Sequence, residues 1–385
     1  MNGNITEHQE IKMPECDKLI LSSSPHIHTS NSVSKIMLKV IIALVPLIAA
    51  SIYFFGMNAL KIVLLTAIFC VGAEALWCII AHKSLKNTIF DGSALVTGVI
   101  LGLNFGPATP WFACLIGAFL AIWLGKQIFG GIGCNPFNPA IVARVGLLIA
   151  LPGMMTTWLP NTKMIETAQH HIKQNETYCK TFFSPENWQK LQNSVNAKNQ
   201  TDAISCATPL SMLAEREKNT KMAYNHTFAD IDNKTARYNY FLGNMPGSLG
   251  EISTLAILLG GFLLIMWKLI NWRIPVFFTG TVFLLTGIIN FFYPNLTPTP
   301  LFHMLTGGLM FGAFFMATDM VTSPLTNRGC IVFGIGCGAI TAVIRIWGNY
   351  PEGVSFAILF MNALVPFIDK MFTRRPFGSN IKKEA

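Results

Sequence analysis

"LVTGVILGL", residues 95–103, returns far downstream in altered form as "MLTGGLMFGA", residues 304–313. Both are short apolar runs interrupted by glycine. Each is followed by a loop of related type, "NPFNPAIVARVG" and "SPLTNRGCIVFG". A bilayer core takes about twenty apolar residues in a helix, and both runs fall short of that. Longer runs surround them: Ile36–Phe55, Leu60–Ala81, Trp111–Leu124, Ile141–Leu159, Ile252–Leu269, Pro275–Phe292, Ile331–Trp347 and Val354–Met371. With Ser93–Phe105 and Phe302–Ala317 added, ten runs are present, five on each side of a polar stretch. The reading is an all-α polytopic membrane protein of about ten transmembrane helices. Five is an odd number, so the second set must be inverted relative to the first, giving two inverted five-helix repeats. Short, Gly-interrupted helices at matching places in inverted halves point to a site near the membrane midplane. Helix packing is the other reading, because small residues four apart let backbones approach closely. Both stay open on sequence alone.

Composition agrees with this architecture. Of 385 residues, 52% are hydrophobic and only 12% charged, against about 25% charged in soluble domains. The formal charge of +9 is spread between apolar segments rather than gathered in one patch, which argues against a nucleic-acid partner. Nine cysteines include no CxxC pair, and the histidines show no metal-ligand spacing, so no metal site is assigned. Cys179 and Cys206 share the polar stretch and could pair there.

Loop charges set the orientation. His82, Lys83 and Lys86 follow the second apolar run, Lys126 the fourth, Lys268 and Arg273 the sixth, and Arg328 the eighth. Lys370, Arg374, Arg375, Lys382 and Lys383 follow the tenth, whereas "NFGPATP" and "FFYPNLTPTP" carry no charge. Positive loops face the cytoplasm. The chain therefore divides into a cytoplasmic amino-terminal segment (1–35), a first repeat (36–159), an extracytoplasmic segment (160–250), a second repeat (251–372) and a cytoplasmic tail (373–385).

The extracytoplasmic segment contains "DAISCATPLSML", residues 202–213. Thr208 is a good N-cap and Pro209 suits the first helical position, so a short helix begins here. Proline also biases Thr208 towards extended backbone, which tends to project its hydroxyl outward. An anionic group on that oxygen would sit at a helix N-terminus, where free N–H groups favour it. Cap and attachment site are compatible.

The same stretch resembles the flavinylation site of the Rnf D family, membrane components of the ion-translocating ferredoxin:NAD oxidoreductases. A similar site occurs in the related B components of sodium-pumping NADH:quinone oxidoreductases. In those families a D-x-x-S/T-x-A-T motif receives FMN through a phosphoester on its threonine, placed by a dedicated flavin transferase. Asp202, Ser205, Ala207 and Thr208 match it; Cys206 stands where many members have Gly or Ser. "SSSPHIHTSNSVSKIM", "DGSALVTGVILGL", "GKQIFGGIGCNPFNPA", "ATDMVTSPLTNRG" and "GNYPEGVSFAILFMNALVPFID" also look like Rnf D segments. "NPFNPA" favours Rnf D over the quinone-reductase component.

The resemblance implies a bacterial inner-membrane component of a complex that passes electrons between ferredoxin and NAD, coupled to Na⁺ or H⁺ movement. Thr208 would hold covalent FMN, and the partner proteins Rnf A, B, C, E and G would supply the remaining carriers. A second, noncovalent flavin such as riboflavin stays open, as do the B-type quinone-reductase component and a redox-silent solute channel. No residue is assigned a catalytic role.

Three further signals come from the residues themselves. Glu74 lies deep in the second apolar run, where a carboxylate is costly; ion transit and a structural hydrogen bond both account for it. "GGIGCNPF", residues 130–137, mimics a dinucleotide loop but lacks a βαβ context and reads as a turn. Asp319 and Arg328 flank the "MVTSPLTN" turn and could pair.

Overall fold

The computed structural model describes residues 32–170, 179, 181–184, 187–189, 205–218, 231–348, 350 and 352–373. Contacts divide the chain into a leading unit, Met1–Ser32, and a body, Val33–Ala385. Among the described residues the structure is helical, with a single isolated bridge between Trp158 and Cys206.

The body begins with α1 (Val33–Phe55), α2 (Met57–Ile80), the short α3 (Leu85–Ile89) and α4 (Ser93–Leu103). Next come α5 (Trp111–Phe119), which continues as widened π-helical turns over Leu120–Gln127, then α6 (Pro139–Ala150) and α7 (Pro152–Met155). The polar stretch contributes α8 (Thr162–His170), α9 (Pro209–Lys218) and α10 (Lys234–Leu242). The chain returns through α11 (Thr254–Met266), α12 (Arg273–Phe292), α13 (Pro300–Leu305) and α14 (Leu309–Phe311), which runs on through π-helical turns over Gly312–Met316. It closes with α15 (Asn327–Trp347) and α16 (Val354–Met371).

Every apolar run read from the sequence carries helix, and five described helices (α1, α2, α12, α15 and α16) are long and apolar enough to cross a membrane. α4, α6, α11 and the α5 run are apolar but shorter. Leu64, Ile68 and Leu76 on α2, Phe262 on α11, Leu284 and Phe291 on α12, and Phe360 and Phe367 on α16 are all exposed. Such extended apolar surface suits lipid rather than water, and the chain is a membrane protein.

Local chemistry explains where the helices start and stop. Asn138 Oδ1 accepts from Ala140 N at 3.0 Å, with Pro139 at the first position of α6. Thr326 Oγ1 accepts from Gly329 N at 3.0 Å and starts α15. The run Ile141–Leu159 does not stay helical. Pro152 excludes helical backbone at Leu151 (φ −132°, ψ 56°), so α6 ends at Ala150 and the chain leaves the bundle. The run Phe302–Ala317 is interrupted outright. Thr306 is extended, and Gly307 and Gly308 take φ +68° and +64°, so α13 and α14 are separate pieces.

Packing follows the small residues. α4 lies against α2 at Gly98 and Gly102; a Cβ on Gly98 would stand 2.6 Å from Ala67 Cα, and one on Gly102 2.9 Å from Val63 Cα. α12 and α15 meet the same way at Gly334 and Gly338. A second core of Trp158, Met164, Phe182, Leu210, Tyr240 and Phe302 joins the polar stretch to α13.

Candidate functional site

Thr208 caps α9 as the sequence predicts. Its Oγ1 accepts from Ser211 N at 3.1 Å, and its carbonyl accepts from Ser211 Oγ at 3.0 Å and Met212 N at 3.1 Å. The outward hydroxyl does not follow: Thr208 is only 5% exposed. The preceding residues are strapped into extended backbone. Cys206 N donates to Trp158 O at 3.0 Å and Ala207 N to Phe182 O at 2.9 Å. Asn187 Nδ2 donates to Ser205 O at 3.2 Å. These bonds, with Trp158 and Phe182 in the core beneath, pin the segment and turn Thr208 inward. Ser205 is exposed, and Asp202 lies outside the described residues. Cys206 is a free thiol, so it forms no disulfide with Cys179, and burial pushes its thiol pKa well up.

A cavity of about 310 Å³ opens beside this segment, lined by Ser205, Cys206, Ala207 and Ser211. Its other walls include Trp158, Asn187, Tyr350, Asn104 at the end of α4, Arg144 on α6, and Glu352 just before α16. Arg144 donates to Asn104 Oδ1 and pairs with the Glu352 carboxylate. The volume is at the small end of the usual range for ligand pockets. Aromatic walls, amide groups and a guanidinium are suited to a planar ring with polar edges.

The other sequence candidate lies elsewhere. Glu74 is fully buried, with Oε1 accepting from Lys126 Nζ and from Gln127 Nε2 at 2.8 Å. Lys126 Nζ also bonds Ser93 Oγ at 2.5 Å, and Ser93 Oγ donates to Asp91 Oδ1 at 2.6 Å. Lys126 is therefore not a free loop charge; it is 3% exposed and neutralises Glu74 inside the bundle. Lys126 and Ser93 face a smaller cavity of about 120 Å³ together with Asn138 and Asp319. Asp319 accepts from Thr322 Oγ1 at 3.1 Å, and among the described residues no ion pair with Arg328 forms. Residues 130–137 form a turn in which Gly130, Gly131 and Gly133 take positive φ, with no strand before it. Arg374, Arg375, Lys382 and Lys383 lie outside the described residues.

Sequence reading misses Arg144, Glu251, Arg345 and Glu352. Arg144 and Arg345 each sit inside an apolar run, and that was the available signal: an ionisable group there is costly and needs a partner.

A family model described as "NQR2, RnfD, RnfE family" matches residues 20–378. The D component of the ion-translocating oxidoreductase complex of Stutzerimonas stutzeri is 42% identical over 354 residues, covering 91% of this chain and 94% of that protein. The D component of the proton-translocating ferredoxin:NAD(+) oxidoreductase complex of Clostridium ljungdahlii is 39% identical, covering 93% of this chain and 96% of its own. The Na(+)-translocating counterpart from Acetobacterium woodii is also 39% identical, covering 95% and 98%.

Proposed function

The chain belongs to the NQR2, RnfD, RnfE family, and on that premise we propose that it is the membrane-embedded D component of an ion-translocating ferredoxin:NAD oxidoreductase. In this reading Thr208 carries FMN as a phosphoester, attached by a flavin transferase that reads Asp202, Ser205 and Ala207. The observation that carries it is the cavity of about 310 Å³ walled by Thr208's neighbours Ala207 and Ser211 together with Trp158, Tyr350 and Arg144, although Thr208 itself is not among the residues that line it. Thr208 caps a helix of ten residues, so a phosphate on its oxygen sits at the positive end of the helix dipole. A flavin supplies one- and two-electron chemistry. The chain's own residues do the rest: Trp158 and Tyr350 offer flat apolar walls, Asn104 and Asn187 offer polar groups, and Arg144 holds a positive charge at the cavity wall. Cys206 and Thr208 are buried, which keeps water from the attachment point.

The wider arrangement is ten spans in two inverted five-helix repeats, both termini cytoplasmic in a bacterial inner membrane, with residues 160–250 outside. Ferredoxin and NAD are then handled by the partner proteins Rnf A, B, C, E and G, which supply the carriers that cross a hydrocarbon core of about 30 Å. Glu74 with Lys126 marks a candidate ion path. The proton- and Na⁺-translocating relatives are equally similar to this chain, so the coupling ion is named as Na⁺ or H⁺ together. A second flavin, riboflavin, is a further candidate ligand. The helix break at Gly307 and Gly308 favours one alternative, a solute channel, which needs no chromophore.

Thr208→Ala separates these readings. Loss of an N-cap costs about 0.5–2 kcal/mol, which a bundle of this size survives. The variant should insert in the membrane yet lose the fluorescent flavin band that the wild type, co-expressed with the transferase, shows on a denaturing gel. A band retained in the variant, or absent from the wild type, ends the proposal. Orientation is tested by single cysteines: one beside Lys86 should resist impermeant thiol reagents in intact cells, and one beside Asn193 should react.

A further inference from the structure

The tips of the two echoed runs meet at one piece of chain, residues 248–251. Leu249 N donates to Phe105 O at 2.9 Å and Gly250 N to Leu103 O at 2.7 Å, which fastens the piece to the end of α4. Ser51 Oγ donates to Leu249 O at 2.5 Å from α1. The next residue, Glu251, is 4% exposed. Its Oε1 accepts from Ser248 N at 2.8 Å. Its Oε2 is buried, has no hydrogen-bond partner among the described residues, and faces the helix break; a Cβ on Gly308 would stand 2.9 Å from it.

Three further buried or half-buried charges surround Glu251. Arg144 of α6 pairs with Glu352, whose side chain keeps 16% exposure. Arg345 of α15 donates to the carbonyls of His303 (2.6 Å), Thr306 (3.0 Å) and Gly307 (2.6 Å), all neutral acceptors. It has no carboxylate in hydrogen-bond contact among the described residues, and its Nε is unpartnered. Two guanidiniums and two carboxylates sum to zero only while both glutamates are ionised. An added negative charge beside Arg144 would upset that balance in a medium where uncompensated charge is expensive. Glu352 is held by its contact with Arg144. Glu251 has the oxygen to spare.

We propose that Glu251 is a redox-linked proton-binding residue, taking one proton onto Oε2 when the redox group in the neighbouring cavity takes one electron. This rests on the flavin reading above. The electron comes from a one-electron carrier of a partner protein, and the proton from bulk water. The glutamate becomes a neutral carboxylic acid, and the net charge of the buried cluster and its ligand is unchanged. Glu251 lies in the loop before α11, outside the helices that could span the membrane. Burial pushes its carboxyl up to about 8, with the Glu352 carboxylate adding to this and Arg144 pulling it back, so Glu251 starts ionised and takes up the proton on reduction above that pH. The charged and titratable groups facing the cluster are Arg144, Arg345, Glu352 and His303, whose carbonyl Arg345 holds.

The test uses the whole complex carrying its covalent flavin. Above about pH 8, where Glu251 starts ionised, reduction of the wild type should produce an infrared band of a protonated carboxylic acid, and the midpoint potential of the Thr208-bound flavin should fall as pH rises. Glu251→Gln should lose the reduction-linked band and flatten the pH dependence. Glu251→Asp, which keeps a carboxyl, should retain a shifted band and covers the case in which Gln disturbs assembly. Glu352→Gln leaves one guanidinium uncompensated and removes a carboxylate that raises Glu251, so the electron alone restores neutrality and the band should weaken. A flavin present in full, with band and pH dependence unchanged in Glu251→Gln, overturns this inference alone. A wild type without covalent flavin overturns the functional reading and this one with it.

Discussion

The two echoed runs share a Thr-Gly pair and part company in structure. At Thr97-Gly98 the chain is helical throughout, and Gly98 lets α4 lie on α2, with Ala67 Cα where its side chain would be. At Thr306-Gly307 the helix stops. Gly307 and Gly308 both take left-handed backbone, and Arg345 binds the carbonyls left open at the end of α13. The second glycine makes the difference: Val99 follows Gly98, whereas Gly308 follows Gly307. A single glycine inside a helix permits close approach, and a pair permits reversal of φ. The first run packs closely through its glycine, and the second is an interrupted helix.

The largest effect should come from Gly98→Leu. Its nearest obstacle is backbone, Ala67 Cα at 2.6 Å, with Cys70 Cβ and Thr66 O at 3.1 Å. Nothing there can rotate aside, so α4 and α2 must separate. Overpacking typically costs about 1–3 kcal/mol, and a backbone obstacle belongs at or above the top of that range. Yield of assembled protein after mild detergent extraction should drop sharply. Normal assembly would mean that α4 does not rest on α2 as described.

Gly307→Ala should be milder and partly repairable. A Cβ there would stand 1.9 Å from Leu210 Cδ1 and 2.9 Å from Arg345 Nη2, and the backbone at φ +68° is strained for any side chain by about 1–3 kcal/mol. Leu210 belongs to α9, the helix capped by Thr208, so this contact joins the capped segment to the helix break. Adding Leu210→Ala should recover the steric part of the loss and leave the backbone part. A double-mutant cycle on thermal stability reads the coupling. Strict additivity would sever the contact.

Much of this was legible in sequence. Apolar runs located every bundle helix because a helix in lipid must be apolar along its length. Thr208 was legible as a cap because Thr-Pro before a helix is a local signal. Non-local facts were not. Lys126 reads as a loop charge until its partner Glu74, fifty-two positions away, is brought beside it. Arg345 reads as a charge near a helix end until the carbonyls of α13 appear next to it. The inward turn of Thr208 depends on Trp158 and Phe182, and no rule about the Thr-Pro pair contains them. The early end of α6 was legible in Pro152 and is a matter of weighing: one proline outweighs a continuing apolar run.

The smallest effect concerns the two threonines, and it tests the comparison most finely. Both bond the carbonyl four residues back: Thr97 Oγ1 to Ser93 O at 2.9 Å, and Thr306 Oγ1 to Phe302 O at 2.7 Å. In α4 the helix continues past Thr97, so Ser93 O still has the backbone N–H of the ladder when the hydroxyl is removed. At the end of α13 the chain turns extended at Thr306, and the hydroxyl there supplies a donor to a terminal carbonyl. A net hydrogen bond is worth about 0.5–1.5 kcal/mol, and a buried acceptor left without one costs about 1–3 kcal/mol. Thr306→Val should therefore lower thermal stability by about 1–2 kcal/mol, and Thr97→Val by about a few tenths, since valine keeps the shape in both. Equal losses would mean that Thr97 also serves a helix end, and that the two runs are more alike than their backbones.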